Sequence, residues 1–593
     1  MARNKFDIDE ELESPFDIRH FRRALVYAGR YKRRIFLGLF LSLLSIFTGL
    51  ASPLLARHSI DVAIPNGDVR LVILLGIGMA VSLFLSILFA QRRSIIMTKV
   101  GQDIIYNIRE DLFAHLQKLS FEYYDNRPHG KILVRLVNYI NNISEIMTNG
   151  IINFVMEILN LLFIAVVMFF VSWKLALVVL AGLPIFAAFM FLIKRKTRIG
   201  WQNISNRTSN INAYLHESVV GVKVTQMFTR EDENNAIFDR LSRAYRRDWL
   251  KTMKYALLVW PVIDNVANIV RAAVLFVGLV VFTNISGAAA TLGTVSAMSM
   301  YSWRFWQPLI NLSNLMNTVI TAVSYLERIF ETLDEEVAVT DKADAADLPP
   351  IKGDIEFRNV TFSYSKNNEI VLQDTSFNVK AGESIALVGP TGAGKTTIVN
   401  LISRFYNIDS GNVLIDGHDI ANVKLQSLRK QMGIMLQDSF IFSGSVMSNI
   451  KYGRRDATDE EAVKACKIVG IDEFIQGLEQ GYDTELKERG AGLSAGQKQL
   501  IAFARTILAN PRIIVLDEAT SSIDAKTERA MQRSVDYLLK GRTSFIIAHR
   551  LSTIRNCDKI MYVNEKGITE TGSHNELMEK KGAYYDLYTA QCL

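Results

Sequence analysis

The apolar residues fall in runs that match the length of a membrane crossing. Ile35 to Ala56 holds 22 residues without a charge and Leu71 to Ala90 holds 20. About 20 helical residues at 1.5 Å each span a hydrocarbon layer of about 30 Å. Leu175 to Ile193 is a third clean run, and three further segments are apolar with isolated charges: about 146–171 with Glu157, about 255–282 with Asp264 and Arg271, and about 291–323 with Arg304. The pattern predicts an α-helical polytopic membrane domain of six transmembrane helices. About 55 residues separate the second and third spans and about 60 the fourth and fifth. Both stretches are charged and read as helical, so the membrane helices are expected to continue into two hairpins that turn near 121–128 and 225–234.

The pattern changes after Glu331. An acidic, Ala-rich linker ends in Leu348, Pro349 and Pro350, and from Ile355 short β-type runs alternate with helical stretches, an α/β pattern. The expected organisation is an N-terminal segment (1–34) with an interfacial amphipathic helix anchored by Phe16, Phe21 and Leu25, a membrane domain (35–330), a linker (331–352) and an α/β P-loop NTPase domain (353–593). The buried-strand run Ser384 to Val388 leads into Gly389, Pro390, Thr391, Gly392, Ala393, Gly394, Lys395, Thr396 and Thr397 and then a helical stretch. This is the phosphate-binding loop in its strand-loop-helix context. Its glycines let backbone N–H groups converge on phosphate oxygens, Lys395 adds positive charge, and the Thr396 hydroxyl is placed to ligate Mg²⁺. A second apolar run, Ile513 to Leu516, ends in Asp517 and Glu518. Asp517 is placed to hold Mg²⁺, and Glu518 to polarise an attacking water.

Charge sharpens this division. The 67 basic and 60 acidic residues give a net charge of +7, yet residues 351–593 carry 30 of each sign, so the excess lies in the first 350 residues. Arg19, Arg22, Arg23, Arg30, Lys32, Arg33 and Arg34 precede the first span, and Arg92, Arg93, Lys99, Lys194, Arg195, Lys196 and Arg198 follow the second and fourth. The opposite loops hold only Arg57, Arg70 and Lys174. Basic flanks stay inside, so both termini are expected in the cytoplasm. The basic balance then reflects an anionic inner leaflet and membrane lipids as partners, and no nucleic acid is expected. A mean hydropathy of +0.15 excludes a fully disordered chain, and three cysteines exclude a disulfide scaffold. The acidic start (Asp7, Asp9, Glu10, Glu11, Glu13) lacks the apolar core of a secretory signal.

Leu493, Ser494, Ala495, Gly496 and Gln497 form a variant of the LSGGQ signature. With the phosphate loop and six spans, the chain resembles ATP-binding cassette (ABC) exporters, specifically half-transporters of the type I exporter fold similar to bacterial multidrug exporters. The resemblance implies ATP and Mg²⁺ as cofactors and a second half-transporter as partner, with two cassettes enclosing two nucleotides. It implies that Tyr364 stacks on adenine and that Gln437 reaches Mg²⁺ and water. Ser494, Gly496 and Gln497 would face the γ-phosphate of ATP held by the opposite subunit, Asp524 would cross the dimer, and His549 would contact the γ-phosphate beside the catalytic Glu518. The hairpin turns match coupling helices, and Thr484 to Gly490 matches the loop that contacts them.

Two residues depart from the family pattern. Ala495 replaces a glycine, and its Cβ is expected to crowd the approach of backbone to phosphate. By the family resemblance, such a departure beside an intact Glu518 and His549 marks the catalytic subunit of a heterodimer, with a homodimer that tolerates alanine as the alternative. Lys487 stands where a glycine is usual. Charged residues within spans usually face a cavity, so Glu157, Asp264, Arg271 and Arg304 are candidates for its lining. The aromatic stretch around Arg304 (Tyr301 to Trp306) is a candidate contact for flat hydrophobic compounds. The function expected is ATP-driven export of hydrophobic or amphipathic small molecules across a bacterial cytoplasmic membrane. A lipid flippase, or an ATP-gated channel or regulatory subunit, would use the same machinery.

Overall fold

The computed structural model describes residues 18–592 apart from 126, 128, 146–150, 282–290, 365–369, 436–438, 519–524 and 549–553. Two compact units divide it: the chain up to Gln117 together with Gly130–Asp334, and Lys118–His129 together with Glu335–Leu593.

The first unit is helical. Its long elements are α1 (Ile18–Gly29), α2 (Lys32–His58), α3 (Val69–Leu116), α4 (Ile151–Leu180), α5 (Gly182–Val220), α6 (Glu231–Ala256), α7 (Val259–Phe276) and α8 (Leu292–Leu333). The described residues of the apolar runs lie on these helices or directly continue them. At 48 residues α3 extends about 72 Å, so the second span and its polar continuation are one rod. Ser172 leaves the helical region within α4 (φ −164°, ψ 104°), which marks the turn between the third and fourth runs beside Lys174. Among the described residues, four continuous helical stretches are long and apolar enough to cross a membrane: Lys32–Ala63, Val69–Leu116, Asn153–Val220 and Glu231–Leu279. The third of these contains two of the predicted runs. α8, interrupted by Arg304, Gln307 and Asn311, is outside that set and is helical throughout.

The inner faces meet in a core of Leu175 and Val179 (α4), Phe186 (α5), Val270 and Val274 (α7), and Met298, Tyr301, Phe305 and Trp306 (α8). Outward faces are also apolar, with Phe36, Phe84, Ile87, Phe170 and Phe276 exposed, the pattern of helices whose solvent is lipid.

Two of the charged residues of the spans, Arg304 and Glu157, bond to other helices. Pro53 lies inside α2 and removes the donor that would bond the carbonyl four residues earlier, that of Gly49. Arg304 of α8 donates to this Gly49 carbonyl, and the Tyr301 hydroxyl donates to the next one, Leu50, at 2.6 Å. Tyr301, Phe305 and Trp306 are at most 2% exposed. Of the stretch expected to contact transported compounds, Tyr301 and Arg304 therefore pin α8 to α2 and Phe305 and Trp306 are core, while Trp303 is 42% exposed. Just beyond α2, Asp61 accepts from the Thr291 hydroxyl at 2.5 Å and from the Gly293 N–H at 2.7 Å, a second link to α8. Glu157 accepts from Asn311 at 2.7 Å. Asp264 accepts from Asn268 on its own helix at 3.3 Å, and it and Arg271 are exposed.

The expected interfacial helix forms as α1, but it also packs on protein. Ala24 is fully buried, Arg23 pairs with Asp334 at 2.5 Å and lies over the Phe330 ring, and the Tyr27 hydroxyl donates to Asp111. Phe16 lies outside the described residues.

The second unit holds two main sheets and a short antiparallel ribbon of β7 (Gly444–Ser445) with β8 (Glu485–Leu486). β1 (Ile355–Ser363), β2 (Ile370–Val379), β4 (Ser410–Ile415) and β5 (His418–Asp419) form an antiparallel sheet in the order β2-β1-β4-β5. The other runs β12-β11-β3-β10-β9-β6, built from β3 (Ser384–Val388), β6 (Met432–Met435), β9 (Ile513–Glu518), β10 (Thr543–Ala548), β11 (Lys559–Asn564) and β12 (Gly567–Gly572). All but the edge strand β12 are parallel. Leu387, Ile514, Val515, Ile546 and Ile547 are buried, as continuous apolar strands of a covered parallel sheet should be.

Candidate nucleotide-binding site

The register of the parallel strands assembles the site. Ile547 pairs with Leu387 on one side and with Asp517 on the other, Ala548 pairs with Glu518, and Met435 pairs with Leu516. The chain leaves β3 at Gly389, β9 at Glu518 and β10 just before position 549, all at the carboxyl edge where α/β sheets bind ligands. β6 ends at Met435 on that edge, shortly before position 437.

At the end of β3 the backbone turns through left-handed conformations at Gly389 (φ 142°), Gly392 (φ 85°) and Gly394 (φ 102°). A Cβ at Gly389 would collide with the Val563 carbonyl oxygen of β11. Here glycine is needed both for φ and for close approach. The loop opens α9 (Lys395–Ile402), whose N-cap is Gly394 and makes no side-chain cap bond. The first-turn N–H groups thus face the loop, an arrangement that accepts phosphate. Lys395 Nζ donates to the Gly389 and Pro390 carbonyls at 2.8 Å each. Burial lowers its pKa, and the neighbouring Asp517 carboxylate opposes that shift. The Thr396 side chain is exposed, whereas Thr397 is buried and its hydroxyl bonds that of Tyr364 at 2.9 Å. A cradle of left-handed glycines, an ammonium, an exposed hydroxyl and a nearby carboxylate fit a nucleoside triphosphate with its divalent cation.

Tyr364 is half-buried, set edge-on to Phe362 at 4.9 Å and perpendicular to Tyr406 at 5.0 Å. Ser494 caps α10 (Ala495–Ala509): its hydroxyl accepts from the Gln497 N–H at 3.2 Å while the Gln497 side chain accepts from the Ser494 N–H at 2.8 Å. This reciprocal capping box fixes both residues at the helix start, with Gly496 buried behind them. Ala495 takes the first helical position and its methyl is exposed. Lys487 is extended (φ −71°, ψ 171°), so its backbone has no need of glycine. Gln437, Asp524 and His549 lie outside the described residues, as does the side chain of Glu518.

The first predicted hairpin turn belongs to the cassette unit. Phe121 packs on Phe405 at 4.5 Å, Tyr406 donates to Asp125, and Arg127 pairs with Glu335 at 3.0 Å. The second, Val222–Met227, lies in the helical unit with Val220, Met227 and Phe228 exposed. Tyr406 and Asp125 were not singled out from sequence. The aromatic pair Phe405-Tyr406 just after α9 was the available signal, but its partner is 281 residues away.

Comparison with known proteins agrees with this geometry. Residues 35–309 match the ABC transporter transmembrane region and residues 372–521 match the ABC transporter family. YknV of Bacillus subtilis, an uncharacterized ABC transporter ATP-binding protein, is 40% identical over 596 residues, covering 100% of this chain and 98% of YknV. The chain belongs to the ABC exporters. YgaD of Bacillus subtilis, provisionally named a multidrug export ATP-binding/permease protein, is 34% identical over 96% of this chain and 99% of its own length. The solved structure of a bacterial Atm1-family ABC exporter with ATP bound matches with a TM-score of 0.79 at 29% identity, covering 95% of this chain and 98% of that one. This exporter therefore pairs a type I membrane helical domain with a P-loop ABC ATPase in one multi-pass membrane chain, and its ATP hydrolysis is coupled to transport. As a half-transporter, carrying one membrane domain and one cassette, it works as a dimer.

Proposed function

We propose that this exporter is the catalytic subunit of a heterodimer that moves hydrophobic or amphipathic small molecules out across a bacterial cytoplasmic membrane, with both termini inside. The observation that carries the pairing is Ala495. Its methyl stands exposed beside the Ser494 hydroxyl at the first turn of α10, on the face that by family resemblance meets the partner's nucleotide. The chain's own phosphate loop, Asp517, Glu518 and His549 retain the residue types of a working site. The substrate class is supported by relatives provisionally named for multidrug export in Bacillus subtilis and Staphylococcus aureus. Orientation is supported by the basic margins of the spans.

In this reading the loop N–H groups and Lys395 hold the phosphates, Tyr364 the adenine, and Thr396, Asp517 and Gln437 the Mg²⁺, which when bound neutralises phosphate charge. Glu518 takes a proton from water and His549 steadies the γ-phosphate. The deciding experiment purifies the chain alone and co-expressed with each half-transporter of the same genome, then measures stoichiometry and ATP hydrolysis in lipid. A 1:1 complex with activity far above that of the lone chain is expected. Full activity in the lone chain would overturn the heterodimer, and failure of the active complex to move a broad panel of amphiphiles would overturn the substrate class.

A further inference from the structure

We infer that Tyr406 is a positioning residue for the base of the nucleotide, and that it carries the state of the adenine side of the cassette to Asp125 on the first hairpin. The inference rests on the reading of Tyr364 as the adenine partner. Four side chains form the path. Thr397, in the first turn of α9, shares a hydrogen bond with the Tyr364 hydroxyl at 2.9 Å. The Tyr364 ring meets the Tyr406 ring at 5.0 Å and 90°, and the Tyr406 hydroxyl donates to the Asp125 carboxylate. Asp125 ends the short helix Phe121–Asp125, a few residues after α3 in sequence.

Packing alone would not call for these groups. Tyr406 is 7% exposed whereas Asp125 is exposed, so the buried phenolic hydroxyl costs desolvation that a phenylalanine would avoid, and the carboxylate offsets that cost by accepting its hydrogen bond. Burial, then the hydrogen bond to Asp125, pushes the Tyr406 phenol well above its ordinary range, so it remains the donor at working pH. The residue before it is held equally firmly. Phe405 packs on Phe121 at 4.5 Å and lies beneath the Arg429 guanidinium at 5.0 Å. Edge-to-face contacts depend on ring orientation. A Tyr364 that turns to stack on a base must therefore shift Tyr406 with it, and Tyr406 is tied to the hairpin through its hydroxyl. A carboxylate outside the nucleotide site thereby affects which base the site prefers.

The test measures KM and kcat of the assembled, full-length exporter in lipid with ATP and with CTP, whose smaller base stacks less. Asp125→Asn and Tyr406→Phe each keep shape while removing or weakening the hydrogen bond. Each is expected to raise KM for ATP about threefold to tenfold, the net worth of one ordinary hydrogen bond, with a much smaller change for CTP. The double variant is expected to be no worse than either single one, because both remove the same contact. An unchanged ATP-to-CTP ratio of KM in both single variants, while Tyr364→Ala changes that ratio, would overturn the relay. An unchanged ratio in Tyr364→Ala would instead overturn the adenine reading on which it rests. If Asp125→Asn does not fold, Tyr406→Phe alone decides by the same ratio.

Discussion

Arg304 donates to the carbonyl oxygen of Gly49, the acceptor that Pro53 leaves without its helical donor. An interrupted backbone bond in α2 is thus completed from α8, 255 residues later in the chain. In a hydrocarbon environment water cannot supply the missing donor, so the arginine that looks like a transport residue in the sequence is a backbone partner.

Replacing Arg304 with Met should leave the Gly49 carbonyl unpaired and destabilise the helical unit by about 1–3 kcal/mol. The same change in a Pro53→Ala background should cost much less, because the alanine N–H returns the helical donor. Thermal unfolding of the purified protein in detergent would show this as a non-additive pair of midpoint shifts. Additive shifts would refute the pairing.

Gly389→Ala should abolish tight nucleotide binding without unfolding the cassette. The new methyl meets the Val563 carbonyl, and the strained φ of 142° forces the loop to move. A KM for ATP raised at least about tenfold, equivalent to ~1.4 kcal/mol, is expected. A fluorescent ATP analogue titrated against the variant gives the measurement.

Glu518→Gln should retain ATP binding and lose turnover by about 10²–10⁴-fold, the usual contribution of a general base. Phosphate release measured beside nucleotide binding separates the two effects. Ordinary turnover in this variant would remove Glu518 from its assigned role.

The C-terminal helices His574–Lys580 and Ala583–Cys592 should loosen in acid. The His574 ring nitrogen Nδ1 bonds the Tyr584 hydroxyl at 2.9 Å, and burial, then the Arg555 charge, lowers its pKa. The unfolded state therefore binds the proton more readily, and stability falls as pH drops below about 6.5, the ordinary histidine value. Hydrogen exchange of Ala583–Cys592, corrected for intrinsic rate, should rise between about pH 7.5 and about pH 5.5. His574→Gln should remove most of that rise, and an identical rise in the variant would contradict it.

The spans were legible because membrane thickness imposes a length on each apolar run, and the phosphate loop because its glycines encode local backbone angles that sequence displays directly. The break at Ser172 was visible as the short polar turn beside Lys174. The roles of Arg304, Tyr301 and Trp306 were not legible, since they depend on a carbonyl and a core contributed by distant helices. Tyr406 and Asp125 were hidden for the same reason. Ala495 was conspicuous as a departure, but only its place at the head of α10 shows that its methyl faces outward.

The tip of the second hairpin carries an apolar cluster. Val224, Met227 and Phe228 are 59%, 77% and 65% exposed, and they lie between the long helices α5 and α6. An orphan copy thus displays an apolar knob to water, the kind of surface that invites aggregation and proteolytic triage. A surface that covers Val224, Met227 and Phe228 would remove that liability.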